Sequence, residues 1–188
     1  MVQLRQPRQT PRLTLRRFEL GDLDDLALIL ANEDVNRYLY SAPRDRAEAL
    51  EVLQRSLAPR DEKVDDNVLH VAVELRDTNR VIGDFMLRWH DNEHLQGEIG
   101  GSLHPDFHGQ SFAGEIYEEL LTIAFTQYGL RRVVGRCDAR NVASVRSLEK
   151  VGLQQEAHFI ENEFVKGEWT DEIVLAIRKS VWERRRDA

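Results

Sequence analysis

Between Val68 and Trp89 apolar residues recur at every second position, the sharpest pattern in the chain. Leu69, Val71, Val73 and Leu75 share one face of an extended segment, and His70, Ala72 and Glu74 share the other. Arg76-Asp77-Thr78-Asn79 supplies turn residues. Val81, Gly83, Phe85, Leu87 and Trp89 then resume the alternation, so the two runs predict a β-hairpin. A polar turn over 90–96 leads to a further strand over 97–103.

Elsewhere the period lengthens to that of a helix. Leu23, Leu26, Ala27 and Leu30 follow Asp22 in the N-cap position. Pro43 opens a second helical stretch that runs to about Leu57 and is ended by Pro59, with a charged loop over 60–67. Pro105 and Gly109 punctuate a loop, after which Phe112, Ile116, Leu120, Ile123 and Ala124 form the apolar face of a helix ending near Tyr128-Gly129. A strand over 133–137 precedes a helix over 141–152, whose apolar face is Val142, Val145, Leu148 and Val151 and whose C′ position holds Gly152. Leu13-Thr14-Leu15-Arg16 reads as a first strand. The last strands, over 157–165 and 170–177, flank the turn Lys166-Gly167-Glu168.

At 188 residues the chain is expected to form one domain around one large core. We divide it into a flexible N-terminal segment (1–11), the domain proper (12–178) and a charged C-terminal tail (179–188). A hydrophobic fraction of 41% is ordinary for a globular protein, and no apolar run spans a membrane. The start of the chain lacks the apolar core of an export signal, and the single cysteine, Cys137, cannot form an internal disulfide. These features lead us to expect a cytoplasmic protein. A formal charge of −7 argues against nucleic acid as a partner; it fits cationic, amine-bearing substrates as well as plain solubility.

The stretch with the most chemistry is His108-Gly109-Gln110-Ser111-Phe112-Ala113, an amide-rich turn between a strand and a helix start. Unpaired N–H groups and the positive dipole end of a helix suit a phosphate there. His90-Asp91-Asn92-Glu93-His94 spells a zinc-protease signature, but that chemistry needs both imidazoles on one helix, and this segment reads as a turn. We expect no metal site. Cys137 reads as core filler.

Gly97-Glu98-Ile99-Gly100, the spacing Pro105-x-x-His108-Gly109 through Ala113-x-Glu115, and Asn141-x-x-Ser144 running to Leu148-Glu149-Lys150-Val151-Gly152 occur in that order. Glu156 and Gly167-x-Trp169-x-Asp171 follow. Together these motifs resemble the GNAT N-acetyltransferase superfamily over about residues 12–178, and within it the ribosomal-protein alanine acetyltransferases (RimJ/RimL-like). The resemblance implies an α/β (α+β) fold: a mixed, mostly antiparallel sheet of about seven strands, with a splayed central pair, flanked by about four helices. It implies that His108, Gly109, Gln110, Ser111, Phe112 and Ala113 hold the pyrophosphate of acetyl-CoA. Three positions depart from the family pattern: His108 replaces Gln or Arg, Ser111 replaces glycine, and Gln110 stands where Lys or Arg is common.

By the same resemblance, Gly101, Ser102 and Leu103 pair with pantetheine as an added strand would. Asn141 is either a plain N-cap or also a CoA contact. Ser144 approaches the CoA sulfur and protonates the leaving thiolate, the tyrosine used elsewhere in the superfamily being replaced by Leu148. Glu163 matches the general base of that branch; read as residues alone, Glu161 and Glu163 share a strand face and also suit a solvated acidic pair. His158 and Trp169 suit either the acceptor side or sheet packing. The implied activity is acetyl transfer from acetyl-CoA to a primary amine in a ternary complex. A protein N-terminal α-amine leads as acceptor and a small-molecule amine follows. The rival is a non-catalytic CoA-binding or regulatory module. The branch also implies a homodimer.

Overall fold

The computed structural model describes residues 4–58, 67–89 and 93–187. Its strands are β1 (Arg8–Gln9), β2 (Leu13–Arg16), β3 (Asn67–Leu75), β4 (Arg80–Trp89), β5 (Gln96–Leu103), β6 (Arg132–Asp138), β7 (Gln154–Val165) and β8 (Glu168–Arg178). They form one sheet in the order β1-β2-β3-β4-β5-β6-β8-β7. Every adjacent pair is antiparallel except β5–β6. The α-helices are α1 (Leu23–Ala31), α2 (Glu33–Asn36), α3 (Arg46–Leu57), α4 (Phe112–Thr122), α5 (Val142–Lys150) and α6 (Lys179–Arg186).

Among the described residues, eight strands and six α-helices correct the expectation of about seven and about four. β1 lies within the segment expected to be flexible, and pairs Arg8 with Leu15 and Gln9 with Thr14. α2 is a single turn, capped by Asn32, whose side chain accepts from the Asp34 and Val35 N–H groups. α6 occupies the stretch read as a charged tail and sinks Trp182 into the core at 4% exposure.

The β3–β4 hairpin forms where the alternation placed it, with one change of face. Val73 pairs with Gly83 and Glu74 with Val81, which leaves Ile82 as an extra residue. This bulge turns Ile82 to the face of Phe85 and Leu87, and turns Val81 to the opposite side with Ala72. The sheet is therefore packed on both faces. One face buries Phe112, Ile116 and Leu120 of α4, Leu148 of α5 and Trp182 of α6. The other receives Leu26, Ile29 and Leu30 of α1, and Ala49, Val52 and Leu53 of α3. The α3 start moves from Pro43 to Asp45, whose side chain accepts from Ala47 and Glu48 N–H while Glu48 reaches back, a reciprocal capping box.

The feature that positions the site is the one parallel pair. β5 and β6 pair only at Gln96–Arg132, Gly97–Val133 and Glu98–Val134. β5 then continues to Leu103 against β4, and β6 to Asp138 against β8, so the sheet opens along the unpaired edges.

Candidate active site

A cavity of about 590 Å³ fills this opening. Gly101, Ser102 and Leu103 of β5 line one wall; His108, Gly109, Ser111, Phe112 and Ala113 line the turn; Asn141 and Ser144 line the start of α5. Two helix N-termini, of α4 and α5, thus meet at one opening in a sheet, where free N–H groups favour an anion. Gln110 and Glu163 are the two candidate residues that do not line it. The Gln110 side chain turns back to donate to the Asp106 carbonyl at 2.9 Å.

Each wall has a local cause. A Cβ on Gly101 would sit 2.5 Å from the Asp84 carbonyl oxygen and from Phe85 Cγ, so no side chain fits where β5 crosses β4. Gly109 has φ 73° and Ser111 φ 63°, left-handed conformations that turn the chain sharply into α4. The His108 ring is fixed by a 2.8 Å hydrogen bond between Nε2 and the Leu103 carbonyl, which ties the turn to the end of β5. Asn141 caps α5 by accepting from the Ser144 N–H at 3.1 Å.

Ser144 has neighbours that its motif does not reveal. Its Oγ lies 3.2 Å from Cys137 Sγ, and the Tyr117 side chain approaches it from α4. Tyr117 also lines the cavity, and its ring meets Phe85 edge-on at 5.6 Å. Burial pushes the Tyr117 phenol well above its usual pKa, with nearby Cys137 adding to the shift. Burial likewise raises the Cys137 thiol. Tyr117 therefore stays protonated. Its position in α4, between Ile116 and Glu118, carries no sequence signal of this role.

Glu163 lies on β7, beyond β8, and outside the cavity lining. It pairs with Thr170 across β7–β8 and accepts from Asn162 Nδ2 at 3.1 Å. The expected alternation of Glu161 and Glu163 is interrupted. β7 shifts register between Phe159 and Glu163, and Glu161, at φ 48°, gives its N–H to Asp171 Oδ1. Asp171 also meets His158 Nε2 at 2.9 Å, and Trp169 stacks obliquely on Phe164 at 5.3 Å with 60% exposure.

Beside Glu163 lies a polar cluster centred on Glu172, which is 1% exposed. Arg136 grips it through two bonds of 3.0 and 2.8 Å, Asn162 donates at 3.2 Å, and the Tyr40 hydroxyl donates at 3.1 Å. Partial burial and Glu172 together raise the Tyr40 pKa. On β4, the Asp84 carboxyl is pushed up to about 7 by burial, with Arg44 opposing the shift. Asp84 lies directly opposite Ser102 in the β4–β5 ladder, and it is a titratable group that the sequence did not single out.

Among the described residues no group of three His, Cys, Asp or Glu could hold a metal ion, and no helix is long and apolar enough to cross a membrane. His90, Asp91 and Asn92 of the zinc-like signature lie outside the described residues.

The family model described as acetyltransferase (GNAT) domain matches residues 12–154. The uncharacterized N-acetyltransferase p20 of Bacillus licheniformis is 28% identical over 171 residues, covering 90% of this chain and 94% of that protein. A GNAT-family acetyltransferase from Bacillus anthracis superposes with a TM-score of 0.81 at 23% identity, over 93% of this chain and 99% of that one. The spermidine N-acetyltransferase from Vibrio cholerae, solved with CoA and spermine, superposes with a TM-score of 0.78 at 23% identity, again over 93% and 99%. At these identities the solved structures show the fold.

Proposed function

The chain belongs to the GNAT acetyltransferase family and is an N-acetyltransferase, and on that premise we propose that it transfers acetyl from acetyl-CoA to a primary amine within a ternary complex. The observation that carries this reading is the parting of β5 from β6 beyond Glu98 and Val134, against the N-termini of α4 and α5. The edge of β5 that faces β6, unpaired at Gly101, Ser102 and Leu103, suits the two amides of pantetheine, and the turn from His108 to Ala113 suits the pyrophosphate. Gln110 contributes its backbone alone. The thioester then ends beside Ser144.

In this reading the amine attacks the thioester carbonyl, the C–N bond forms, and the C–S bond breaks to release CoA thiolate. Ser144 Oγ–H stabilises the developing thiolate. Tyr117, held protonated by burial and close to Ser144, adds a second hydroxyl on this side of the cavity. The protonated amine must lose one proton before attack, and the nitrogen loses a second, through water, as the tetrahedral intermediate collapses to the amide. We assign the first of these protons to Glu163 through water, on the match of its position to the general base of the RimL-like branch; it does not line the cofactor cavity.

For the acceptor, the α-amine of a protein N-terminus remains the first class and a polyamine the second. The polyamine reading gains support from the likeness to the spermidine enzyme, and from Asp84, Glu98, Glu163 and Glu172 on strands around the opening. Thiol release from acetyl-CoA, measured against peptides of varied N-terminus and against spermidine and spermine, separates the two classes. No release with any amine would leave only the CoA-binding module. Glu163→Gln is expected to lower kcat by about 10²–10⁴-fold, the usual worth of a positioned base, with acetyl-CoA affinity unchanged. Near-full activity in that variant would move the base to Asp84 or Glu98.

A further inference from the structure

The turn that lines the cavity is held from outside by a residue distant in sequence. Arg12, just before β2, donates through Nη1 to the Gln110 carbonyl at 2.9 Å. Its Nε donates to Glu115 Oε2 at 2.9 Å, and its Nη2 lies 2.7 Å from the same oxygen. The guanidinium carbon stands 4.0 Å from the centre of the Phe112 ring. Glu115 answers by accepting the Arg12 backbone N–H at 3.1 Å and the Thr10 hydroxyl. One planar fork therefore touches residues 110, 112 and 115 at once, spanning the entry into α4.

The consequence follows from the geometry of one peptide unit. The Gln110–Ser111 bond is trans, so its C=O and N–H point in opposite directions. Arg12 fixes the carbonyl toward the N-terminal strands. The Ser111 N–H must then face away, toward the cavity that Ser111 lines. Ser111 also occupies a left-handed conformation that a non-glycine residue adopts at a cost, so its peptide needs an external hold. Glu115 supplies the aim: partial burial works against its charge, but the bonds from Thr10 and Arg12 outweigh it and hold the carboxyl below its usual pKa.

We propose that Arg12, aimed by Glu115, is a positioning residue for cofactor binding: it points the Ser111 amide at the anion and neutralises a carboxylate one turn into α4. The proposal rests on the reading that this cavity holds the pyrophosphate of acetyl-CoA. Arg12 itself does not line the cavity, so it acts through the turn. Lysine cannot replace it, because a point charge cannot hold the Gln110 carbonyl and the Glu115 carboxylate in one plane.

The test is calorimetric titration of CoA into the unsubstituted chain and the Arg12→Lys, Arg12→Ala and Glu115→Gln variants, with steady-state kinetics alongside. Arg12→Lys should raise the Kd for CoA and the KM for acetyl-CoA by about tenfold, roughly the worth of one well-placed hydrogen bond. The kcat at saturating acetyl-CoA and the acceptor KM should stay unchanged. Arg12→Ala should weaken binding further, since it leaves the Glu115 charge unpaired beside the anion. Glu115→Gln keeps the shape, should fold even where Arg12→Ala does not, and should weaken CoA by several-fold as the fork loses its aim. Unchanged CoA affinity in Arg12→Lys overturns the proposal, as does an equal loss of kcat and acceptor KM, which would mark general unfolding of the region. An unsubstituted chain that fails to bind CoA overturns the cofactor reading itself, and the role of Arg12 with it.

Discussion

At the scale of single residues, the proposed chemistry gathers on Ser144. Asn141 fixes its backbone, Cys137 meets its hydroxyl, and Tyr117 lines the same cavity, so its surroundings come from three different elements. Ser144→Ala is expected to lower kcat by about ten- to a hundredfold, the worth of a hydrogen bond to a developing anion. Tyr117→Phe keeps the edge-on contact with Phe85 and should cost only a few-fold. If Tyr117 works through Ser144, the double variant should be no slower than Ser144→Ala alone; additive losses measured in a double-mutant cycle would separate the two residues. The motif from Asn141 to Ser144 was legible because a helix start, an N-cap and a hydroxyl lie within four consecutive residues. Tyr117 was not legible, since a tyrosine in an amphipathic helix looks like packing until the fold sets it in the cavity wall. Arg12 and Glu115 were silent for the same reason: they stand 103 residues apart and meet only in three dimensions.

At the scale of elements, strands with strict alternation and helices with a clear apolar stripe were readable, and short or weakly patterned elements were not. β1 has two residues and α2 four, too few for any period to register. α6 escaped because its eight residues are mostly charged, with only Val181 and Trp182 offering apolar surface. Bulges are equally invisible, and both β4 and β7 change face at one. Yet α6 is not a loose end. Trp182 is buried against Phe125 at 5.2 Å between ring centres, and Arg185 donates to the carbonyls of Lys150 and Val151 at the end of α5. Trp182→Ala should therefore cost about 3–5 kcal/mol, a fall in Tm of roughly 10 °C for a chain of this size. Its indole N–H has no hydrogen-bond partner among the described residues, so Trp182→Phe should cost far less. Calorimetric melting of both variants checks this, and equal losses would show that the indole nitrogen is satisfied after all.

At the scale of the whole molecule, one sheet is held as two antiparallel halves joined by three parallel residue pairs. The halves part beyond Glu98 and Val134, and the chain spends its strongest turn geometry and two helix starts on the opening. The cavity lining, with Ser144 and the turn at His108 to Ala113, excludes Glu163 and Glu172, and on the proposed reading it is the cofactor side. Two reactants brought from opposite sides to one carbonyl need little further help, since proximity supplies much of the rate advantage. The most direct measurement is a crystal structure of the chain with CoA bound. Pantetheine should lie between β5 and β6 along Gly101 to Leu103, the pyrophosphate on the Ser111 turn, and the sulfur within about 4 Å of Ser144 Oγ. CoA seated elsewhere, or a sulfur out of reach of Ser144, would contradict the assignment of this opening as the site of acetyl transfer.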